Sequence, residues 1–476
     1  MGNTELQYGD AIDLSLTILK DFGCRFPRGL VTGMMKALVS LYRTLKMVKH
    51  TPIEVLESLP EMTDPHKLAT IALLDKLPEW TYLAGRRYMP LMLLATTRPV
   101  EMTFSCGLFD LSAAYIASLG MLTLFVTRDV ETARFIGDRA LQMQEKSKLE
   151  EGKARTFVNV YAVVFPHVKP LQSFSKPFLE GHQSGMRTGD KSYAMWCLYF
   201  HLLILYMTGK HLKLVEEHCK LYVRQMAELK EEAQALSLRS YWQSCLNLMG
   251  QSNNTIELRG EAMDEKEVVF TVFSHAAFVV AKNMACNFFG EYKAGASVAI
   301  EQGDEQSIQL KGGTFVSMMF LFHRALSMYA IARKHRKKKR KYTAKANRIR
   351  KELTASLNKK NPNVFHYVSI LNAEHAASEQ KKNQEEIVCQ LYNDAIAISA
   401  RGGYVHDAAL AQERFGDFLL NDLGDEEEAR YHIEGSIKRY TNWGAMGIVA
   451  RLNNQYRRIL SKPSLHREAT FAVNPY

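Results

Sequence analysis

Proline is scarce in this chain. There are 13 in 476 residues, and none in the 184 residues between Pro177 and Pro362. Proline lacks a backbone N–H and clashes with the preceding helical turn, so helix interiors exclude it. A proline-free stretch with apolar periodicity throughout therefore predicts helix after helix. Paired cysteines are missing as well. The seven are Cys24, Cys106, Cys197, Cys219, Cys245, Cys286 and Cys389, and no two stand in C-x-x-C spacing. An odd, scattered set in mostly apolar runs reads as buried free thiols in a reducing compartment, not as a disulfide framework or a zinc motif. Strand-type alternation of Val, Ile and Thr is almost absent. Asp10 and Asp13 near the N-terminus break the basic-then-apolar order of a secretory signal, and Leu6 breaks the myristoylation pattern that Gly2 would open.

Charge of one sign is also lacking, except in one place. The net charge of +11 comes from 61 Lys+Arg against 50 Asp+Glu. Twelve basic residues and no acidic ones lie between Arg333 and Lys351, so the remainder carries −1. A near-neutral remainder argues against a protein that coats nucleic acid along its whole surface. With 47% hydrophobic and 23% charged residues the composition is that of a globular protein. Two uncharged runs, Leu111–Thr127 and Ser192–Gly209, approach membrane length. Each contains Ser, Thr or Gly, and the second has His201 at its middle. We read both as inner helices buried on all sides, so no transmembrane segment is expected.

Apolar residues recur at helical spacing in Ala69–Lys76, Leu111–Thr127, Thr132–Lys146, Ser192–Thr208 and Leu212–Leu229. The same holds for Glu265–Phe289, Phe315–Ala332, Val364–Ser378, Glu385–Ala400, Asp407–Leu420 and Glu426–Tyr440. Internal similarity organises these segments. At an offset of 39, Leu371, Glu374 and Tyr392 fall on Leu410, Glu413 and Tyr431. At an offset of 296, Asp129, Glu131, Ala133, Arg134 and Phe135 fall on Asp425, Glu427, Ala429, Arg430 and Tyr431. In each case a polar turn leads into a helix that opens with a small residue beside an aromatic, and Phe289–Ala294 repeats the turn. The small residue would let two antiparallel helices approach, with the aromatic filling the gap. The expected fold is all-α: a tetratricopeptide-like α-solenoid of antiparallel helical hairpins. Its expected sections are a lead-in (1–25), a first repeat section (26–250), middle hairpins with a basic helix extension (251–360), C-terminal repeats (361–456) and a flexible tail (457–476).

Towards the C-terminus the text becomes specific. Asn361–His366 is followed by Leu371-Asn372-Ala373-Glu374, then Gln390–Ile396, Ala409-Leu410-Ala411 with Glu413, Ala429-Arg430-Tyr431, and Tyr440–Ala445. Upstream stand Leu59–Pro65, Gly107 with Ser112–Tyr115, Thr188-Gly189-Asp190 with Tyr193-Ala194, and Gly260–Glu265. Together this series resembles the helical-repeat region that follows the AAA-type ATPase in large kinase/ATPase/GAF/histidine-kinase signalling proteins, over roughly residues 26–456. The resemblance implies a partner that is an ATPase or kinase module, in cis or in trans. None of those catalytic domains is in this chain. Gly435 also stands where the repeats usually carry alanine, which would weaken that helix.

Catalytic motifs are wanting. Gly181–Ser192 is the nearest approach to a phosphate loop, but Asp190 separates Gly189 from Lys191 and no strand precedes it. It reads as a helix connection with Asp190 at an N-cap. Cys197 with His201, and His218 with Cys219, have no second pair at ligand spacing, so neither a metal nor a cofactor is expected. The basic run remains. Arg333, Lys334, Arg336, Lys337, Lys338, Lys339, Arg340 and Lys341 follow the apolar helix without a breaker, and read as a projecting extension that could meet a polyanion, an anionic lipid or an import receptor. Trp443, Gly444 and Ala445 read as packing residues of the terminal hairpin. The expected function is a non-catalytic, cytoplasmic scaffold for protein–protein interaction in signalling. The alternative is a basic nuclear or nucleic-acid-associated adaptor acting through 333–351.

Overall fold

The computed structural model describes residues 2–27, 29–147, 150–301, 313–334, 339–379 and 383–461. Within them the chain is all-α, and the only β features are two isolated bridges, Glu61 with Leu108 and Arg259 with Asp264. The helices of the first half are α1 Gly2–Asp21, α2 Leu30–His50, α3 Ile53–Glu57, α4 Pro65–Leu83, α5 Met89–Cys106, α6 Ser112–Thr127 and α7 Val130–Ser147. They continue with α8 Lys153–Phe157, α9 Ser175–Thr188, α10 Lys191–Met207, α11 Leu212–Glu228 and α12 Glu232–Leu248. The second half has α13 Val272–Phe288, α14 Tyr292–Glu301, α15 Val316–Lys334, α16 Lys339–Asn358 and α17 Phe365–Glu379. It ends with α18 Glu385–Arg401, α19 Val405–Phe418, α20 Glu426–Trp443, α21 Met446–Gln455 and α22 Arg457–Leu460.

Most expected helices sit where periodicity places them, with informative exceptions. The expected Glu265–Phe289 helix begins only at Val272, because Thr271 and Ser274 form a reciprocal capping box that starts it there. Two prolines lie inside helices, Pro78 in α4 and Pro99 in α5. Both are in the proline-richer N-terminal part, and Pro99 is buried where α5 packs, so tertiary contact overrides local preference. The lead-in is helical rather than loose, since α1 packs on α4 through Ile12, Leu19, Leu74 and Leu77.

Helices adjacent in sequence pair closely, including α6 with α7, α9 with α10, α12 with α13, α15 with α16 and α19 with α20. Most of α10 is buried, every residue from Cys197 to Met207, and this is why that run is so apolar. Among the described residues no helix is long and apolar enough to cross a membrane. Other ties run between distant segments. The Asn363 amide donates to the carbonyls of Pro166 and Lys169, and its oxygen accepts from the Leu171 N–H. Arg451 donates to the Phe288 carbonyl at 3.0 Å. In a strictly linear repeat stack each unit touches only its neighbours. Here the C-terminal hairpins also lie against the middle of the chain.

The small-residue rule holds for one partner only. Ala133 and Ala429 are fully buried at helix crossings, whereas Phe135 and Tyr431 are 38% and 65% exposed. Two residues along a helix is a rotation of roughly 200°, so the aromatic cannot share the small residue's face. Gly435 also has a packing reason that intrinsic helix preference misses. A Cβ there would stand 2.2 Å from the Gln412 amide of α19, which is held by Arg439.

Candidate interaction cleft and basic segment

Three buried clusters of the same composition tie the hairpins together. Glu374 of α17 accepts from Arg414 of α19 through both oxygens, at 2.8 and 2.7 Å, and from the Tyr392 hydroxyl of α18 at 2.9 Å. Glu413 of α19 accepts from Arg451 of α21 at 2.6 Å and from the Tyr440 hydroxyl of α20 at 3.1 Å. In the first half, Asp75 of α4 accepts from Arg155 of α8 and from the Tyr115 hydroxyl of α6 at 2.8 Å. Burial would raise the Asp75 and Glu374 carboxyls, but the neighbouring arginines outweigh it and hold both below the ordinary carboxylate range. Sequence reading singled out Glu374, Tyr392 and Glu413 as repeat positions but missed Arg414 and Arg451. A signal was present: each glutamate has an arginine 40 or 38 residues downstream.

The last two C-terminal clusters meet at a cleft of about 300 Å³. Its wall is the turn Phe289–Tyr292, Lys334 at the end of α15, Glu413, Arg414 and Asp417 of α19, and Arg451, Gln455 and Tyr456. Arg414 lies over the Tyr292 ring at 4.7 Å, which fixes its guanidinium from the side opposite Glu374. Three acids and three bases line the space, and no Ser, Thr, Cys or His does. The cleft therefore offers carboxylates, cationic side chains and the Tyr292 and Tyr456 phenols, with no imidazole, thiol or aliphatic hydroxyl in its lining. A larger, shallower hollow of about 520 Å³ covers the loop Gln251–Gly260, with Arg259 its one charged residue.

A second set of buried polar groups centres on Asp407. Asp407 lies 3.4 Å from His366 and 3.5 Å from His406, and all three are buried. His366 stacks on Tyr404 at 3.7 Å, and His406 stacks on Trp443 at 5.1 Å. Neither carboxyl oxygen of Asp407 has a hydrogen-bond partner among the described residues, nor have His323 Nδ1, His406 Nδ1 and Trp443 Nε1. Burial pushes the His323 and His406 imidazoles down to about 3, holds His366 well below its ordinary value, and raises the Asp407 carboxyl. Burial thus disfavours the charged form of each of these groups. Among the described residues no three or more His, Cys, Asp or Glu are arranged to hold a metal ion.

The basic run does not continue α15 as a projecting extension. The chain reverses between Lys334 and Lys339, and α16 packs back along α15. Arg333 points inward. It pairs with Asp422 and lies 3.7 Å from Asp417, so its charge is already neutralised by acids more than eighty residues downstream. Lys334 stands at the cleft rim, 5.7 Å from the Tyr292 ring centroid. Lys339 is half-buried, while Arg340 and Lys341 face solvent together with Arg348 and Lys351. Arg336, Lys337 and Lys338 lie outside the described residues. The exposed part is thus one face of α16. If it meets a polyanion, changing Arg340, Lys341, Arg348 and Lys351 to Gln flattens the slope of log affinity for heparin against log salt by about four contacts. An unchanged slope in a titration series would discard that mode.

Trp443, Gly444 and Ala445 are packing residues. Trp443 and Ala445 are fully buried, and Trp443 lies against Phe288 at 5.2 Å. Gly444 closes α20 in the left-handed region at φ 89°, with the His211 ring 2.9 Å from where a Cβ would be. The Gly-rich segment holds no phosphate cradle: Gly181 and Gly185 are inside α9, and Asp190 caps α10 by accepting from the Tyr193 N–H. Cys197 donates to the Ala154 carbonyl, and His201 Nδ1 lies 3.0 Å from the Tyr222 hydroxyl. Compared with protein-family models, curated proteins and solved structures, the chain matches none.

Proposed function

We propose that this chain is a non-catalytic helical-repeat scaffold. Its tetratricopeptide-like hairpins would stack as a curved solenoid that engages a protein partner in a signalling assembly. The observation that carries the reading is the recurring acid–arginine–tyrosine cluster. Glu374 with Arg414 and Glu413 with Arg451 bond successive hairpins at nearly the same spacing, which holds a rigid platform. The cleft between the two clusters is polar and charge-balanced, and it suits a polar segment of a folded partner better than an apolar small molecule. The sequence resemblance supplies the partner class, an AAA-type ATPase or kinase module in cis or in trans.

The test is binding of the purified chain to such a module by calorimetry. Lys334→Glu places a fourth acid against the two rim carboxylates Glu291 and Asp417 and should weaken binding at least tenfold, a loss of about 1.4 kcal/mol. Lys334 is exposed, so the variant should melt with the wild type. Equal affinity of the variant would remove the cleft from the reading, and failure of every ATPase or kinase module to bind would remove the partner class.

A further inference from the structure

A second acid-free basic stretch lies near the other end of the chain. From Phe22 to Ile53 there are six Lys or Arg residues and no Asp or Glu. Helix α2 occupies most of it. One face packs on α5 through Gly33, Ala37, Leu41, Thr44 and Val48. The opposite face of a helix packed on one side only should be polar. Instead Val31, Met35, Leu38, Val39 and Tyr42 stand in solvent, with Val31 and Tyr42 each 72% exposed. Val31, Met35, Leu38 and Tyr42 follow the i, i+4, i+7, i+11 rule and form a stripe about 17 Å long. The next two positions on the same line are Lys46 and Lys49, and Lys36 flanks the stripe. Arg43 pairs with Glu101 at 3.3 Å, and Asp129 is within electrostatic reach of Lys49. Lys36 and Lys46 have no ion pair among the described residues.

We propose that α2 is an interfacial helix that lays this chain on an anionic membrane surface. The apolar turns enter the boundary between headgroups and acyl chains, and Lys46 and Lys49 reach back to lipid phosphates and carboxylates. Three features select this occupant. The face is a ridge: α5 is the one extensive neighbour of α2, so the stripe meets a flat surface without needing a groove. The charges that α2 itself carries are all positive, and those of Lys36 and Lys46 have no ion pair among the described residues, which matches an anionic leaflet. A second copy would press two acid-free helices together, which like charge opposes. This mode lies on the bilayer and does not span it. It is independent of the cleft at the far end of the chain.

The experiment is co-sedimentation of the full chain with phosphatidylcholine vesicles, with and without phosphatidylserine, at low and high salt. Binding is expected with phosphatidylserine at low salt and should fall as salt is raised. Lys36→Gln and Lys46→Gln should each weaken it about five-fold. Met35→Asp with Val39→Asp should abolish it, and these exposed sites should leave the helical circular-dichroism melt in place. Absence of the wild-type chain from phosphatidylserine pellets overturns the proposal, as does retention by the Asp pair. Light scattering covers the remaining occupants. A wild-type dimer that the Asp pair converts to monomer assigns the stripe to self-association, and a stoichiometric complex with an acidic amphipathic peptide without vesicle binding assigns it to a protein. Either result overturns the membrane assignment.

Discussion

Replacing Arg414 with Met should destabilise the chain by about 3–5 kcal/mol, enough to leave much of it unfolded at moderate temperature. The guanidinium bonds both oxygens of Glu374, and both side chains are almost fully buried. Without it Glu374 is a buried carboxylate whose one remaining partner is the Tyr392 hydroxyl. It must either stay charged in an apolar core or take up a proton, and both cost free energy. The companion variant makes the argument specific. Glu374→Leu together with Arg414→Met removes both charges and fills a similar volume, so it should recover most of the loss and come close to wild type. Urea unfolding followed by circular dichroism gives the four corners of the cycle. If the loss in the double variant equals the sum of the losses of Arg414→Met and Glu374→Leu alone, the pair is not coupled and the interlocking-hairpin account fails.

Acidification from pH 6.5 to 5 should cost on the order of 2 kcal/mol for each of His323, His366 and His406. Burial lowers all three below their ordinary 6.5. Groups of this kind bind fewer protons folded than unfolded. Their contribution is complete above the unfolded value and is lost as pH falls, toward about 3 for His323 and His406. Asp407 works the other way. Its raised carboxyl contributes fully below the ordinary 3.8, and that contribution is lost as pH rises through the raised value. Three histidines against one carboxyl leave a net loss on acidification. Asp407→Asn removes the opposing group, so it should gain stability at pH 7–8 and keep the acid loss. Urea midpoints at half-unit steps check both limbs. A flat profile between pH 6.5 and 5 would mean that the imidazoles take up protons in the fold just as they do in the unfolded chain, and would overturn the burial account.

Much of the fold was legible from local pattern. The proline gap and apolar periodicity place α6, α10, α15 and α18 within a few residues, because helix formation rests on spacing within four positions and on the absence of a breaker. The same locality explains the misjudged basic run. Lys and Arg are good helix formers, so no residue between Arg333 and Lys351 announces the reversal into α16. The inward turn of Arg333 depends on Asp417 and Asp422, which no local window includes. The cleft was half legible: the offset of 39 marks Glu374 and Glu413, while their arginines belong to helices on either side of another hairpin. The exposed stripe of α2 was not legible at all. Apolar residues on both faces of a helix look like burial until the neighbours are known, and only α5 covers one of them.

The sequence by itself therefore determined the helix content and the unpaired cysteines, both of which follow from residue type and short-range spacing. The tertiary structure decided which charges are spent inside, which face of α2 is left bare, and that Asp407 sits among neutral imidazoles. Those outcomes depend on burial and on partners tens of residues away. The free energy of a charge or an apolar side chain is set by what surrounds it in space, and spacing along the chain does not carry that information.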